Sequence, residues 1–256
     1  MVKPKPVFNQ PVATDRRYCI ARALYGVFLV LLVMLAAAMI GLKATTINFI
    51  EDNRNTGFVF DTGELETVIM AALPRQLYTA PAKLALVASV ISVFLGVGQA
   101  AIVFMDWKEG KKTQAYTFRR NVMFLHFTNS IIILMALVSL YVTHKSSSHF
   151  SERYINNKAE RPSSEDGMRY NRGTFDLETW SCELQDVDGA RMVQEDYGKQ
   201  CVVEMAGRAM MIPFLVVGCV LAGLSIWSMI GGARDADGER MKTELVEVEM
   251  GKMNAV

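Results

Sequence analysis

The hydrophobic pattern of the chain is one of blocks rather than of alternation. Four stretches carry no Asp, Glu, Lys or Arg: Ala23 to Leu42, Leu84 to Met105, Val122 to Val142 and Ala209 to Ile230. Each holds about 20 to 22 residues, enough at roughly 1.5 Å per residue to cover a hydrocarbon layer of about 30 Å. A water-soluble chain would instead distribute its apolar residues at periods of 2 or 3.6. In lipid the backbone must satisfy its own polar groups, so each block is expected to be a helix.

The expected fold is an all-α membrane protein: a four-transmembrane-helix bundle with a small disulfide-braced outer region. The expected divisions are an inner segment 1–22, span one 23–42, outer loop 43–83, span two 84–105 and inner loop 106–121. Span three 122–142, large outer loop 143–208, span four 209–230 and inner tail 231–256 follow. The first block is too long for a signal-peptide core and reads as a retained anchor. Pro4, Pro6 and Pro11 break any amphipathic targeting helix before it.

Charge between the blocks sets the expected orientation. Lys3, Lys5, Arg16, Arg17 and Arg22 precede span one against Asp15 alone. Lys108, Lys111, Lys112, Arg119 and Arg120 follow span two against Asp106 and Glu109. In the first outer loop, basic and acidic residues are mixed. The Lys/Arg bias of short loops places the first segment and the middle loop in the cytosol, and an even number of spans returns the tail there. Tyr18, Tyr25, Trp107, Tyr141 and Trp227 sit at block ends, where aromatic rings anchor at headgroup depth.

Within the blocks, small residues suggest packing faces. Ala88, Ser92, Gly96 and Ala100 recur every four residues in span two. Gly218 with Ala222, and Cys219 with Gly223, do so in span four, and Ala37 with Gly41 in span one. Such rows let helices approach closely, within one subunit or between subunits. The polar residues at membrane depth are Gln99, His126, Thr128 and Asn129. His126 and Asn129 share a helix face. They suit interhelical hydrogen bonding or, less simply, a substrate path. The blocks hold no carboxylate or basic side chain of the kind that ion-coupled transporters use.

Cys182 and Cys201 are the cysteine pair of the large outer loop. On an oxidising face they are expected to close a loop of about 20 residues, stabilising a region with little core of its own by roughly 3 kcal/mol. Phe175 to Trp180 is expected to pack against this bridge. Lys145 to Arg172 reads as a flexible loop. Phe58 to Phe60 suggests a short strand, and Leu65 to Leu77 a short helix at the membrane surface. Cys19, beside Arg16 and Arg17, is a candidate for S-palmitoylation. His144 and His149, five apart in a Ser-rich stretch, read as ordinary loop composition.

Composition narrows the function further. The net charge of +1 carries no basic tract that would imply nucleic acid. The sequence offers no Cys-X-X-Cys, no His-rich iron cluster and no Gly-rich phosphate loop, so neither an enzyme nor a cofactor is expected.

The loop order resembles that of tetraspanins: a small outer loop, a short inner loop, then a larger disulfide-bearing outer loop before span four. The tetraspanin Cys-Cys-Gly motif is absent. The run Leu177-Glu-Thr-Trp-Ser-Cys182, with Gln200-Cys201 and Arg208, resembles four-span proteins of filamentous fungi. The resemblance implies shared topology and a shared outer disulfide. The expected role is that of a membrane organiser, in contact with lipid and with other membrane proteins or with itself, in the plasma membrane or another secretory-pathway membrane. The alternative is a small channel or transporter using Gln99, His126 and Asn129.

Overall fold

A computed structural model describes residues 16–62, 68–108, 116–158 and 168–231. Its element order is α1 (Arg16–Asp52), β1 (Gly57–Phe60), β2 (Val68–Ala71), α2 (Ala80–Lys108), α3 (Tyr116–Lys145), α4 (Glu152–Lys158), α5 (Leu177–Leu184), a 3-10 turn (Asp188–Ala190) and α6 (Gln194–Gly231). Four of the helices, α1, α2, α3 and α6, are long and apolar enough to cross a bilayer, with mean hydropathy from 2.0 to 2.7. The chain is a four-helix membrane protein.

The four long helices form a closed ring in which α1 packs on α2 and α6, and α3 on the same two. Leu29, Leu32, Ala36 and Met39 of α1 meet Ala85 and Ala88 of α2, Ile133 and Ala136 of α3, and Met211, Phe214 and Leu221 of α6 in a fully buried core. Large apolar side chains face outward, among them Met34, Phe94, Phe104, Met135 and Val142. That surface suits lipid tails, which are as apolar as the side chains. Close contact inside the ring therefore depends on shape. Ala88, Ser92 and Gly96 are buried within the subunit, and Ala100 packs against the core. A Cβ on Gly96 would lie 2.6 Å from Val33 Cγ2, so only glycine allows α1 this close. Gly218 and Ala222 are likewise buried, Gly218 against Ile133 and Ser130. Cys219, Gly223, Ala37 and Gly41 point out of the ring.

The helices outrun the charge-free blocks. α1 continues past Leu42 to Asp52, and α6 begins at Gln194, well before Ala209. At that end of the bundle both loops between helices fold into a single cap. β1 pairs antiparallel with β2, Phe58 opposite Met70 and Val59 opposite Ile69. The second loop then adds to them: Met168 N–H donates to Ile69 O (2.7 Å), Ala71 N–H to Met168 O (2.9 Å) and Tyr78 N–H to Phe175 O (2.8 Å). Gly189 sits where a Cβ would lie 2.6 Å from both Asp61 O and the Phe60 ring, and its carbonyl accepts from Asp61 N–H. The close approach requires glycine.

Three expectations change here. The segment Leu65 to Leu77 supplies a strand rather than a surface helix. β-branched Val68 and Ile69 suit the pleat, and Met70 is buried beneath it. The stretch from Lys145 to Arg172 is not wholly a loop: it contains α4, and Ile155, Met168 and Tyr170 are buried. The cap also has a substantial core of its own. Phe58, Phe60, Phe175, Trp180 and Tyr197 are buried around Tyr170. Trp180 is central, with ring centroids 5.1 Å from Phe175, 5.6 Å from Tyr170 and 5.7 Å from Phe150. Its Nε1 donates to Ala72 O at 3.0 Å. Burial pushes the Tyr170 phenol above its ordinary pKa, while the N–H of Ser151 donates to its oxygen at 3.1 Å and pulls the other way.

Candidate functional site

Polar chemistry inside the bundle gathers at two depths, separated by the apolar core. The first lies toward the ends of the helices that carry the two chain termini. Tyr25 of α1 hydrogen bonds His126 Nε2 of α3 at 2.6 Å, crossing the diagonal of the ring, and Ser225 of α6 also bonds the phenol. Ser92 Oγ of α2 donates to Asn129 Oδ1 of α3 at 2.9 Å. Gln99 is buried nearby in sequence on α2. His126 and Asn129, which share a face as their spacing requires, therefore contact two different helices. Tyr25 is not an interfacial anchor: its phenol turns inward because His126 offers a partner there. Trp107 and Trp227 do remain exposed at helix ends.

The second depth lies beneath the cap. Lys43 Nζ of α1 is 2.6 Å from Glu204 Oε2 of α6, with both side chains almost fully buried. Thr46 Oγ1 and Gln200 Nε2 donate to the other carboxylate oxygen. The helices carry charge into the protein here, although the blocks themselves are free of it. One turn further along α6, Arg208 Nη2 donates to Glu178 Oε1 of α5 at 2.7 Å, and its guanidinium lies 5.4 Å from the Tyr141 ring centroid. A cavity of about 30 Å3 lies among these groups, lined by Lys43, Thr46, Glu178, Glu204 and Arg208. It is large enough for a water molecule and too small for an organic ligand. An open groove of about 360 Å3 runs outside it between Thr45 and Phe49 of α1, with Asn53 just after it, and Tyr197, Lys199 and Gln200 of α6.

The disulfide joins this region covalently. Cys182 of α5 is bonded to Cys201 of α6, so the cap helix is tied to a bundle helix. Ser181 Oγ and Trp180 flank it within the same buried stretch. Cys19 falls in α1, but its side chain lies outside the described residues, as does that of Tyr18.

Sequence reasoning did not single out Lys43, Glu204 or Glu178, and it reads His144 as ordinary loop composition, which the structure corrects. The signal for Glu204 was present: Gln200, Glu204 and Arg208 recur every four residues and continue the inward face of Met211 and Phe214. Division at the first charged residue hid that face. His144 belongs to the last turn of α3, and its Nδ1 lies 3.1 Å from Asp176 Oδ2 and 3.7 Å from Glu178 Oε2. Among the described residues this is the group of His and acidic side chains close enough to share a metal ion.

No protein family, curated protein or solved structure matches the chain.

Proposed function

We propose that the protein is a non-enzymatic organiser of the tetraspan type, which holds partners through its cap in the plasma membrane or another secretory-pathway membrane. In this reading the cap faces outward and both chain termini lie in the cytosol, as the Lys/Arg bias of the short loops requires. The observation that carries it is the outer face of the β1–β2 hairpin. Val59 and Ile69 are cross-strand partners, 40% and 60% exposed, beside a cap whose other large apolar groups are mostly buried. A rigid aromatic core beneath holds that pair in place, and a disulfide fixes the cap to the bundle.

The interior supports scaffolding over conduction. Leu32, Ala36, Met39, Ala85, Ala88, Ile133, Ala136 and Phe214 fill the ring between the two polar depths. Gln99, His126 and Asn129, the residues of a transport reading, lie on one side of that layer only.

Chemical cross-linking in native membranes tests the proposal. Wild-type protein is expected to give reproducible adducts larger than the monomer. Val59→Lys with Ile69→Lys should cut their yield at least fivefold without reducing surface delivery. Recovery of monomer alone from the wild type, or adducts indifferent to the double substitution, contradicts it.

A further inference from the structure

We propose that His144, Asp176 and Glu178 form a divalent transition-metal site, with Zn2+ the best match, that clips the end of α3 to the start of α5.

The three side chains converge from two elements that the disulfide does not join. His144 is in the last turn of α3, Asp176 caps the N-terminus of α5, and Glu178 lies in its first turn. In each carboxylate one oxygen is already held. Asp176 Oδ1 accepts from Thr179 N–H at 3.2 Å, and Glu178 Oε1 accepts from Arg208 at 2.7 Å. The remaining oxygens, Asp176 Oδ2 and Glu178 Oε2, both face His144 Nδ1. Outer partners that fix ligand orientation in this way are a regular part of metal sites.

The distances suit a metal. Ligands bound at 2.0–2.2 Å in tetrahedral or cis-octahedral geometry lie about 2.8–3.6 Å from one another. His144 Nδ1 is 3.1 Å from Asp176 Oδ2 and 3.7 Å from Glu178 Oε2, and the three ligand atoms fall within 4.8 Å of one another. A small rotation of the Glu178 carboxylate completes the set. Both carboxylates are largely buried, Arg208 offsets only the far oxygen of Glu178, and a cation between the two near oxygens relieves their repulsion. One imidazole and two carboxylates form a harder donor set than thiolate sites, acceptable to Zn2+. The adjoining cavity, lined by Asp176, Glu178 and Arg208, has room for a water as a fourth ligand. Arg208 keeps a buried Nε without a hydrogen-bond partner there.

The alternative is direct contact of His144 with the two carboxylates and no metal. Full-length protein in detergent, carrying Cys19→Ser and Cys219→Ser to remove free thiols, separates the two by competition with a chromophoric zinc indicator. One Zn2+ per chain is expected. His144→Ala should weaken it at least tenfold. Asp176→Asn should do the same while preserving the cap, because asparagine caps helices as well as aspartate does. His149→Ala, an exposed histidine paired with Glu183, should leave it unchanged. Absence of stoichiometric Zn2+ in the parent protein, or equal loss with His149→Ala, overturns the assignment.

Discussion

Lys43 and Glu204 meet across the α1–α6 interface at 2.6 Å, buried beneath the cap. Breaking such a pair strands one charge in a low-dielectric site, which costs about 3–5 kcal/mol, whereas replacing both partners by apolar side chains is often neutral. Glu204→Gln and Lys43→Met should each sharply lower the temperature at which purified protein loses its monodisperse peak. Lys43→Met combined with Glu204→Met should recover most of the loss, to within about 1 kcal/mol of wild type. A double variant as unstable as the sum of the singles would show that the charges do more than neutralise each other.

Gly96 and Gly98 offer a matched pair within α2. A side chain at 96 collides with Val33, whose branched Cβ leaves it little freedom to move, while nothing lies within 4 Å at 98. Gly96→Leu should destabilise the bundle by about 1–3 kcal/mol through overpacking, and Gly98→Leu should be close to neutral. Unfolding titrations in mixed detergent micelles read the difference.

Trp180 holds the cap together from its centre. Trp180→Ala should cost about 3–5 kcal/mol, enough to open the cap while leaving the four helices assembled. Limited proteolysis should then cut the second loop, and circular dichroism should retain nearly full helicity. Loss of the bundle together with the cap would mean that the two fold as one cooperative unit.

The Cys182–Cys201 bond makes its own prediction. Cys182→Ser and Cys201→Ser should impair delivery to the cell surface equally, each removing roughly 3 kcal/mol of loop-closure stabilisation, and the double substitution should be no worse than either. Quantitative surface biotinylation measures all three.

The spans were legible because lipid imposes a simple rule: a run long enough to cross, with no charge inside, must be helical. The disulfide was legible because its two cysteines share one loop. The cap was not. Its strands pair residues far apart in the chain, as Met70 does with Met168, and no local pattern encodes such a partner. Val68 and Met70 read equally well on a helix until Met168 and Tyr170 arrive beside them. The buried ion pair was hidden for another reason. A charge ends a hydrophobic block, but it does not end a helix, so Lys43 and Glu204 were assigned to loops while the backbone carried both inward.

Glycosylation mapping tests the four-span architecture most directly, because the modification occurs only on the lumenal side of the secretory membrane. Asp186→Asn with Asp188→Thr creates an Asn-Val-Thr sequon on two exposed residues of the cap. Glu247→Asn with Glu249→Thr creates the same tripeptide in the tail. In a eukaryotic host, the cap variant should gain mass that an endoglycosidase removes, and the tail variant should gain none. Glycan on the tail and none on the cap would contradict the account.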